Sequence, residues 1–318
     1  MLRTVVMLSG LLVSAIALAQ TYPANPVKLI VPFAPGGGAD TLARPLAERL
    51  RQRLGQPILI ENRSGASSNI GTDAVAKSAP DGHTLLINTD GIGLYPLLYE
   101  KLPYDLFRDL APITFVAETP MVLASNPVLP ANSLVELIAL AKKEPGKLAF
   151  ANPGQGAPHH LAFELFARQA GVQMLQATYR GGGPALQDVL AGHAQVGMFT
   201  LGAVLGHINA GKLRPYAVTT ATRSQVASGI PTMAEAGLPG VQANLRFVLM
   251  TPRATPVTII RSLHAAVADS LKEPEFRAQL LKQGFEPLGT SPEETERTMR
   301  QDHERWKPVL KAANIRLE

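Results

Sequence analysis

The chain has 318 residues, 46% of them hydrophobic and 17% charged, an ordinary globular balance with enough apolar mass for about two cored domains. Its net charge of +5 is spread along the sequence without a basic block or interleaved aromatics, which argues against a nucleic-acid-binding stripe. It has no cysteine, which excludes disulfides and thiolate chemistry, and its 27 glycines and 26 prolines suit many short strand-to-helix connections better than a helical bundle.

In chain order, "MLRTVVMLSGLLVSAIALAQ" comes first. One early cation, Arg3, precedes an uncharged run ending in Ala17-Leu18-Ala19, the small–x–small pattern of a cleaved signal peptide. The run is short for a bilayer span and is diluted by Gly10 and serines. Residues 1–19 are therefore expected to be removed on export, leaving a soluble periplasmic protein that begins near Gln20.

"VKLIVPF" then reads as a buried strand, and "TLARPLAERLRQRLG" as a helix stopped at Gly55, capped by Asp40 and disturbed near its start by Pro45. "PILIEN" is a strand, "SGASSNIGTDAVAKSAPDG" a glycine-rich loop with a short helix, and "HTLLINT" a third strand. This alternation predicts an α/β protein with a parallel sheet and helices on its faces. After "RDLAPITFVAETPMVLASNP" the pattern begins again: helix "SLVELIALAKKEPG", strand "KLAFAN", loop and helix "PGQGAPHHLAFELFARQAG", strand "MLQATYR", loop and helix "GGGPALQDVLAG". "AQVGMF", "LRPYAVTT" and "RFVLMTP" are further strands, and two amphipathic helical stretches close the chain. Two α/β domains are expected, one from residues 20–119 plus 220–318 and one from 120–219. Two crossings between them would form a hinge beside a cleft.

Three segments share one design of strand end, glycine-rich turn and helix start: Pro35–Asp40, Pro153–Pro158 and Gly181–Pro184. In a parallel sheet such turns lie at the carboxyl ends of the strands, where ligands bind. A helix start offers backbone N–H groups and a partial positive charge, so it holds an anion without arginine, and glycine lets the ligand approach the backbone. Other chemistries are less well supplied. No G-x-G-x-x-G, G-x-S-x-G or H-E-x-x-H occurs, and "GHINAGKL" puts Leu213 where a phosphate loop needs Ser or Thr. His159 and His160 are adjacent and point apart on a helix, a poor metal pair, while His193 and His207 stand alone and Trp306 reads as a packing anchor. No catalytic set, metal or cofactor is expected.

The segments "YPANPVKLIVPFAPGGGAD", "ILIENRSGASSNIG", "APDGHTLL", "KLPYD", "GQGAPHHLAFELF", "YRGGGPALQDVLAGH", "AGKLRPYAV", "PTMAEAGLPG" and "TPRATP" together resemble the extracytoplasmic solute receptors of tripartite tricarboxylate transporters, the Bug family, over nearly the whole mature chain. The resemblance implies a two-domain periplasmic binding protein fold of type II-like form, each domain a mostly parallel sheet flanked by helices. It implies a monomer that captures a small carboxylated anion (a di- or tricarboxylate, acidic amino acid or aromatic acid) and delivers it to a membrane permease. Carried over by position, Phe33, Ala34, Gly37 and Asp40 line the cleft, with Ser67, Ser68, Asn69, Thr89, Asp90 and Gly91 adding first-domain contacts. From the second domain, Gly154, Gly156, His160, Tyr179, Gly181 and Gly182 close over the ligand. The chain departs from the family pattern at Ala157, where a hydroxyl is expected, and in "HAQVGMFTL", which lacks the usual acids. It also departs at Arg246 and Phe247, near which an aromatic, often Trp, is usual. Two alternatives are a sensor that shows its closed form to a membrane signalling partner and a periplasmic enzyme using His160 and Asp40 on an acidic metabolite.

Overall fold

The run Val27–Val31 forms a strand buried at four of its five residues, because helices cover both faces of the sheet it enters. The computed structural model describes residues 22–313, so the segment read as a signal peptide lies outside the described residues. Ten strands are described: β1 (Val27–Val31), β2 (Ile58–Asn62), β3 (Thr84–Thr89), β4 (Leu110–Ser125), β5 (Ala149–Asn152), β6 (Leu175–Thr178), β7 (Val196–Thr200), β8 (Arg214–Val218), β9 (Asn244–Pro252) and β10 (Glu286–Pro287). They follow the order β2-β1-β3-β9-β4-β7-β5-β6, with β8 and β10 also pairing with β4.

Each lobe contains the parallel block that the alternation predicts. β1 pairs in parallel with β2 and β3, and β5 pairs in parallel with β6 and β7. The antiparallel pairings all involve β4, which passes between the lobes, or β9, on which the chain returns to the first, so each sheet is mixed rather than mostly parallel. The expected return of the chain to the first lobe is β9, inserted between β3 and β4.

β4 has no counterpart in the sequence reading. Its first part, Leu110–Pro120, pairs with β9, and its last part, Met121–Ser125, pairs with β7 and β8. One strand thus belongs to both lobes. It is buried throughout except at Glu118 and Pro120, which mark the crossing. Thr119 Oγ1 donates to the Gly284 carbonyl (2.7 Å) and Thr219 Oγ1 to that of Ala243 (2.6 Å), pinning the chain there. The segment 220–243 hydrogen-bonds to β8, through Val218 N–H to Pro231 O and Met233 N–H to Val218 O, and therefore packs with the second set of strands.

One core spans both lobes, from Leu29, Leu42 and Leu46 through Val116 and Met121 to Phe150, Phe163 and Phe166. Smaller cores lie on the opposite faces, around Ile30, Tyr95 and Phe115 in the first lobe and Val122, Leu186 and Phe199 in the second. Trp306 packs against the former, as its reading as an anchor expects. No helix among the described residues is long and apolar enough to cross a membrane.

Candidate functional site

The carboxyl ends of β1, β5, β6 and β7 each lead into a helix, and those four helix starts meet between the lobes. The helices are Gly38–Leu54, Pro158–Ala170, Gly182–Ala191 and Leu201–Asn209. None has a side-chain cap at its start. Elsewhere Ser133 and Asp105 do cap the helices they precede. The uncapped starts surround a cavity of about 30 Å³. Gly37, Gly38, Ala39, Thr89, Phe33 and Phe247 line it from the first lobe, and Ala157, His159, Gly181, Gly182, Phe199 and Thr200 are among the second-lobe residues facing them. Among the described residues, no Lys, Arg, Asp or Glu lines it. Its electrostatic character comes from four partial positive helix ends, each equivalent to roughly half a charge.

The lobes touch through backbone. Ala34 N–H donates to Arg180 O at 3.1 Å. A Cβ on Gly183 would lie 1.9 Å from Pro35 O, so no side chain fits there while the loops are in contact. Gly181, at φ +127°, takes a backbone conformation that other residues rarely adopt. A cavity of this size holds about two waters, so a carboxylate enters only when the lobes part.

Asp40 is not the helix cap. The helix starts earlier, at Gly38 with Gly37 as its N-cap, which puts Asp40 in the first turn and Pro45 well inside a helix that runs on past it. The Asp40 carboxylate accepts from Gly36 N–H (3.0 Å), Asn62 Nδ2 (3.0 Å) and both arms of Arg44 (3.0 and 2.9 Å). It shapes the loop from beneath and does not line the cavity.

The loop at Ser67–Asn69 is held by polar side chains. Ala66, Ser67 and Ser68 all have positive φ (44°, 49° and 79°), a conformation costing roughly 1–2 kcal/mol per residue. Tyr95 OH donates to Ser67 O (2.6 Å), Asn88 Nδ2 to Ser68 Oγ (3.2 Å), and Tyr104 OH to Asn69 Oδ1 (2.6 Å). Ser68 and Asn69 are thus buried in a structural network. Ser67 faces Gly154 across the cleft.

At the end of β3, Thr89 and Asp90 part company. Thr89 lines the cavity, and its hydroxyl is buried without a hydrogen-bond partner among the described residues. Asp90 turns away, accepting from Arg246 Nε at 2.8 Å. Arg246 also pairs with Asp302 and lies over the Phe115 ring, 4.7 Å from its centroid. Burial pushes the Asp90 carboxyl upward while Arg246 pulls it down. Asp90 and Gly91 border a second, larger groove of about 720 Å³ by the crossing strands, which also exposes Glu118, Arg246 and Trp306. Its arginines are already paired, Arg223 with Glu235 and Arg305 with Asp302.

In the second lobe, His160 serves the loop. Its Nδ1 accepts from Gly156 N–H (3.0 Å), and its Nε2 lies 3.6 Å from Glu164. Tyr179 OH donates to Asp188 (2.6 Å). Neither side chain lines the cavity, nor do Gly154 and Gly156. Of the positions carried over from the resemblance, Phe33, Gly37, Thr89, Gly181 and Gly182 come together at the cavity. Sequence reasoning misses His159 and Thr200, whose Nε2 and Oγ1 lie 3.1 Å apart. In the sequence His159 suggests only a metal ligand. Thr200 ends a strand and starts a helix without a glycine, so the signal that marks the other loops is absent there.

The sequence profile of the tripartite tricarboxylate transporter family receptors matches residues 42–315. Protein BugT of Bordetella pertussis is 39% identical over 306 residues, which span 94% of this chain and 93% of that protein. Among solved structures, R. palustris Rpa4515 with adipate has a TM-score of 0.89 at 38% identity, covering 92% of this chain and 98% of that one. MatC from Rhodopseudomonas palustris with bound malate has a TM-score of 0.86 at 31% identity, covering 91% and 100%.

Proposed function

The chain belongs to the tripartite tricarboxylate transporter receptor family, and from that premise we propose that it is a periplasmic receptor that closes its two lobes on a small carboxylate and delivers it to a membrane permease. The observation that carries this reading is the meeting of four uncapped helix starts, one from the first lobe and three from the second, around one cavity without a charged side chain. Such a site holds a carboxylate through backbone N–H groups and helix dipoles. Because donors come from both lobes, the bound anion favours the closed state. The adipate and malate bound by its structural relatives give the ligand class to test first. The apolar walls, Phe33, Phe199 and Phe247, suit a carbon chain between or beside the charged ends.

The moving units in this proposal are residues 22–119 with 244–313, and residues 120–243. The second boundary follows the hydrogen bonds of the segment 220–243 to β8. The loop carried over from the family contributes Phe33 and Gly37 directly, Ala34 through its contact with Arg180, and Asp40 as a brace. Ser67 and Gly154 guard the cleft edge, while Ser68, Asn69, Gly156, His160 and Tyr179 support the loops. Asp90 belongs to the Arg246 pair, and Gly91 meets Pro158 of the second lobe.

The protein binds its solute without transforming it. His159 and Thr200 are spaced like a base and a hydroxyl nucleophile, but no carboxylate hydrogen-bonds to the histidine among the described residues, so the dyad lacks the group that would orient it. The receptor is proposed to be exported by a signal peptide at residues 1–19 and to act as a monomer. A thermal-shift panel of mono-, di- and tricarboxylates tests the reading, since a ligand bound only by the folded form raises the unfolding temperature. At least one acid should raise it by several degrees. A folded protein that answers to no acid in the panel would overturn the proposal.

A further inference from the structure

We infer that His159 is a ligand-reading residue of the second lobe, its imidazole facing the bound carboxylate across the closed cleft while Thr200 holds the ring in place. The inference rests on the carboxylate-receptor reading and adds to it a specific side chain and a consequence for binding. Three polar side chains line the cavity, and all are at least nine-tenths buried: Thr89 (5% exposed), His159 (9%) and Thr200 (4%). Beside the cavity, the Thr89 hydroxyl is sealed in the closed form and has no partner among the described residues, an independent sign that a polar group completes the site when the lobes part and a ligand enters. Thr200 engages His159 Nε2 at 3.1 Å. Nδ1 makes no hydrogen bond among the described residues yet is not sealed off, which leaves it free to meet a ligand.

The carboxylates around the site are already engaged. Asp40 is held by Arg44, Asn62 and Gly36 on the first-lobe helix, and Asp90 by Arg246 at the end of β3. On the histidine's own helix, His160 and Glu164 face each other. Asp188 takes the Tyr179 hydroxyl, and Arg180, beside the Gly181 loop, is exposed. On the helix that Thr200 starts, the titratable residue is His207, two turns further on. No charge on these elements accounts for the state of His159: burial alone lowers its pKa to about 4, so the ring is neutral at neutral pH.

An anion brought into the cavity changes that balance. An opposite charge within about 4–6 Å favours the protonated ring by 1–3 pKa units. A proton from solvent then settles on the imidazole, Nε2–H donates to Thr200 Oγ1, and Nδ1–H faces the carboxylate. By reciprocity, protonation and ligand each strengthen the other's binding. Capture is therefore tighter in mildly acidic surroundings than at neutral pH.

Calorimetric titration with adipate, malate and the other acids of the panel tests this at pH 5.5 and 7.5, in two buffers of different ionisation enthalpy. Wild type and His159→Gln are compared, because glutamine keeps a hydrogen bond within reach of Thr200 but does not titrate. The acids' own titration is common to both proteins and cancels in the difference. At pH 5.5 wild type should take up more protons per ligand than His159→Gln, by about 0.2 of a proton for a one-unit shift and about 0.7 for a two-unit shift. Its affinity should also rise about fourfold more than that of His159→Gln between pH 7.5 and pH 5.5 for a two-unit shift. Equal proton uptake by the two proteins would overturn the assignment while leaving the receptor reading intact. Absence of binding by every acid at both pH values would overturn both. Should His159→Gln misfold, the ring ¹⁵N shifts of His159 in wild type at pH 6 decide instead. They should move toward the imidazolium pattern on saturation with acid, and unchanged neutral shifts would contradict the inference.

Discussion

At Gly183 a single methyl group decides whether the lobes can meet. Its Cβ would stand 1.9 Å from Pro35 O on the opposite loop. Gly183→Ala should therefore fold normally, with an unfolding temperature within a few degrees of wild type, yet bind carboxylate at least tenfold more weakly. Calorimetry and thermal unfolding on the same samples check the two halves of this expectation. His159 gives a second residue-scale expectation. Its folded pKa, about 4, lies below the value of roughly 6.5 for an unfolded histidine. Between these limits the unfolded chain binds a proton that the folded chain refuses, so stability falls as pH drops from about 6.5 to about 4. The difference amounts to about 3 kcal/mol, and His159→Gln should be less acid-sensitive than wild type by about that much in urea titrations at pH 7 and pH 4. Residue type foreshadows the two positions unevenly. A glycine run advertises close approach, so Gly181 to Gly183 can be read directly. A buried histidine looks the same in sequence as a surface one, and only packing shows that His159 rather than His160 faces the cavity.

Asp40 works at the scale of the element, because its carboxylate ties the first helix to the glycine loop through Gly36 and to β2 through Asn62. Asp40→Ala leaves the Gly36 N–H and the Asn62 amide without their acceptor, while the half-exposed Arg44 can rehydrate. It should cost about 2 kcal/mol in denaturant unfolding and weaken ligand binding as the loop loosens. The sequence suggests Asp40 as a cap because acids favour helix starts. Three consecutive small residues before it let the helix begin two residues before Asp40, so the same preference for an acid is satisfied from inside the first turn. Strand–turn–helix units are legible wherever a short apolar run meets a glycine turn, as for β1, β5 and β6. β4 is not, because a strand buried on both faces shows no alternation, and Pro112 and Pro120 interrupt it like turn residues. The start of the helix at Leu201 escapes for the converse reason, since Thr200 makes the turn without glycine.

Across the whole molecule, β4 and the return into β9 make two crossings, and in the proposed receptor the lobes part there, at Thr119–Met121 and Ala243–Asn244. The strand–helix alternation and the presence of two lobes follow from sequence pattern and length. We place the proposed second boundary nearer residue 243 than 219 because the stretch between them lies along β8 and adds to the second lobe's cores. The small cavity at the helix starts and the larger groove beside Arg246 both lie between the lobes. The proposed ligand belongs in the first, where neutral donors from both lobes converge, and the second holds a structural ion network. The most direct test is a crystal structure of the protein with its tightest-binding carboxylate. A carboxylate oxygen should lie within hydrogen-bond distance of the N–H groups at Gly37–Ala39 and at Gly181–Gly182, with the groove beside Arg246 unchanged. A carboxylate bound in that groove on Arg246, with the helix starts uninvolved, would contradict the assignment.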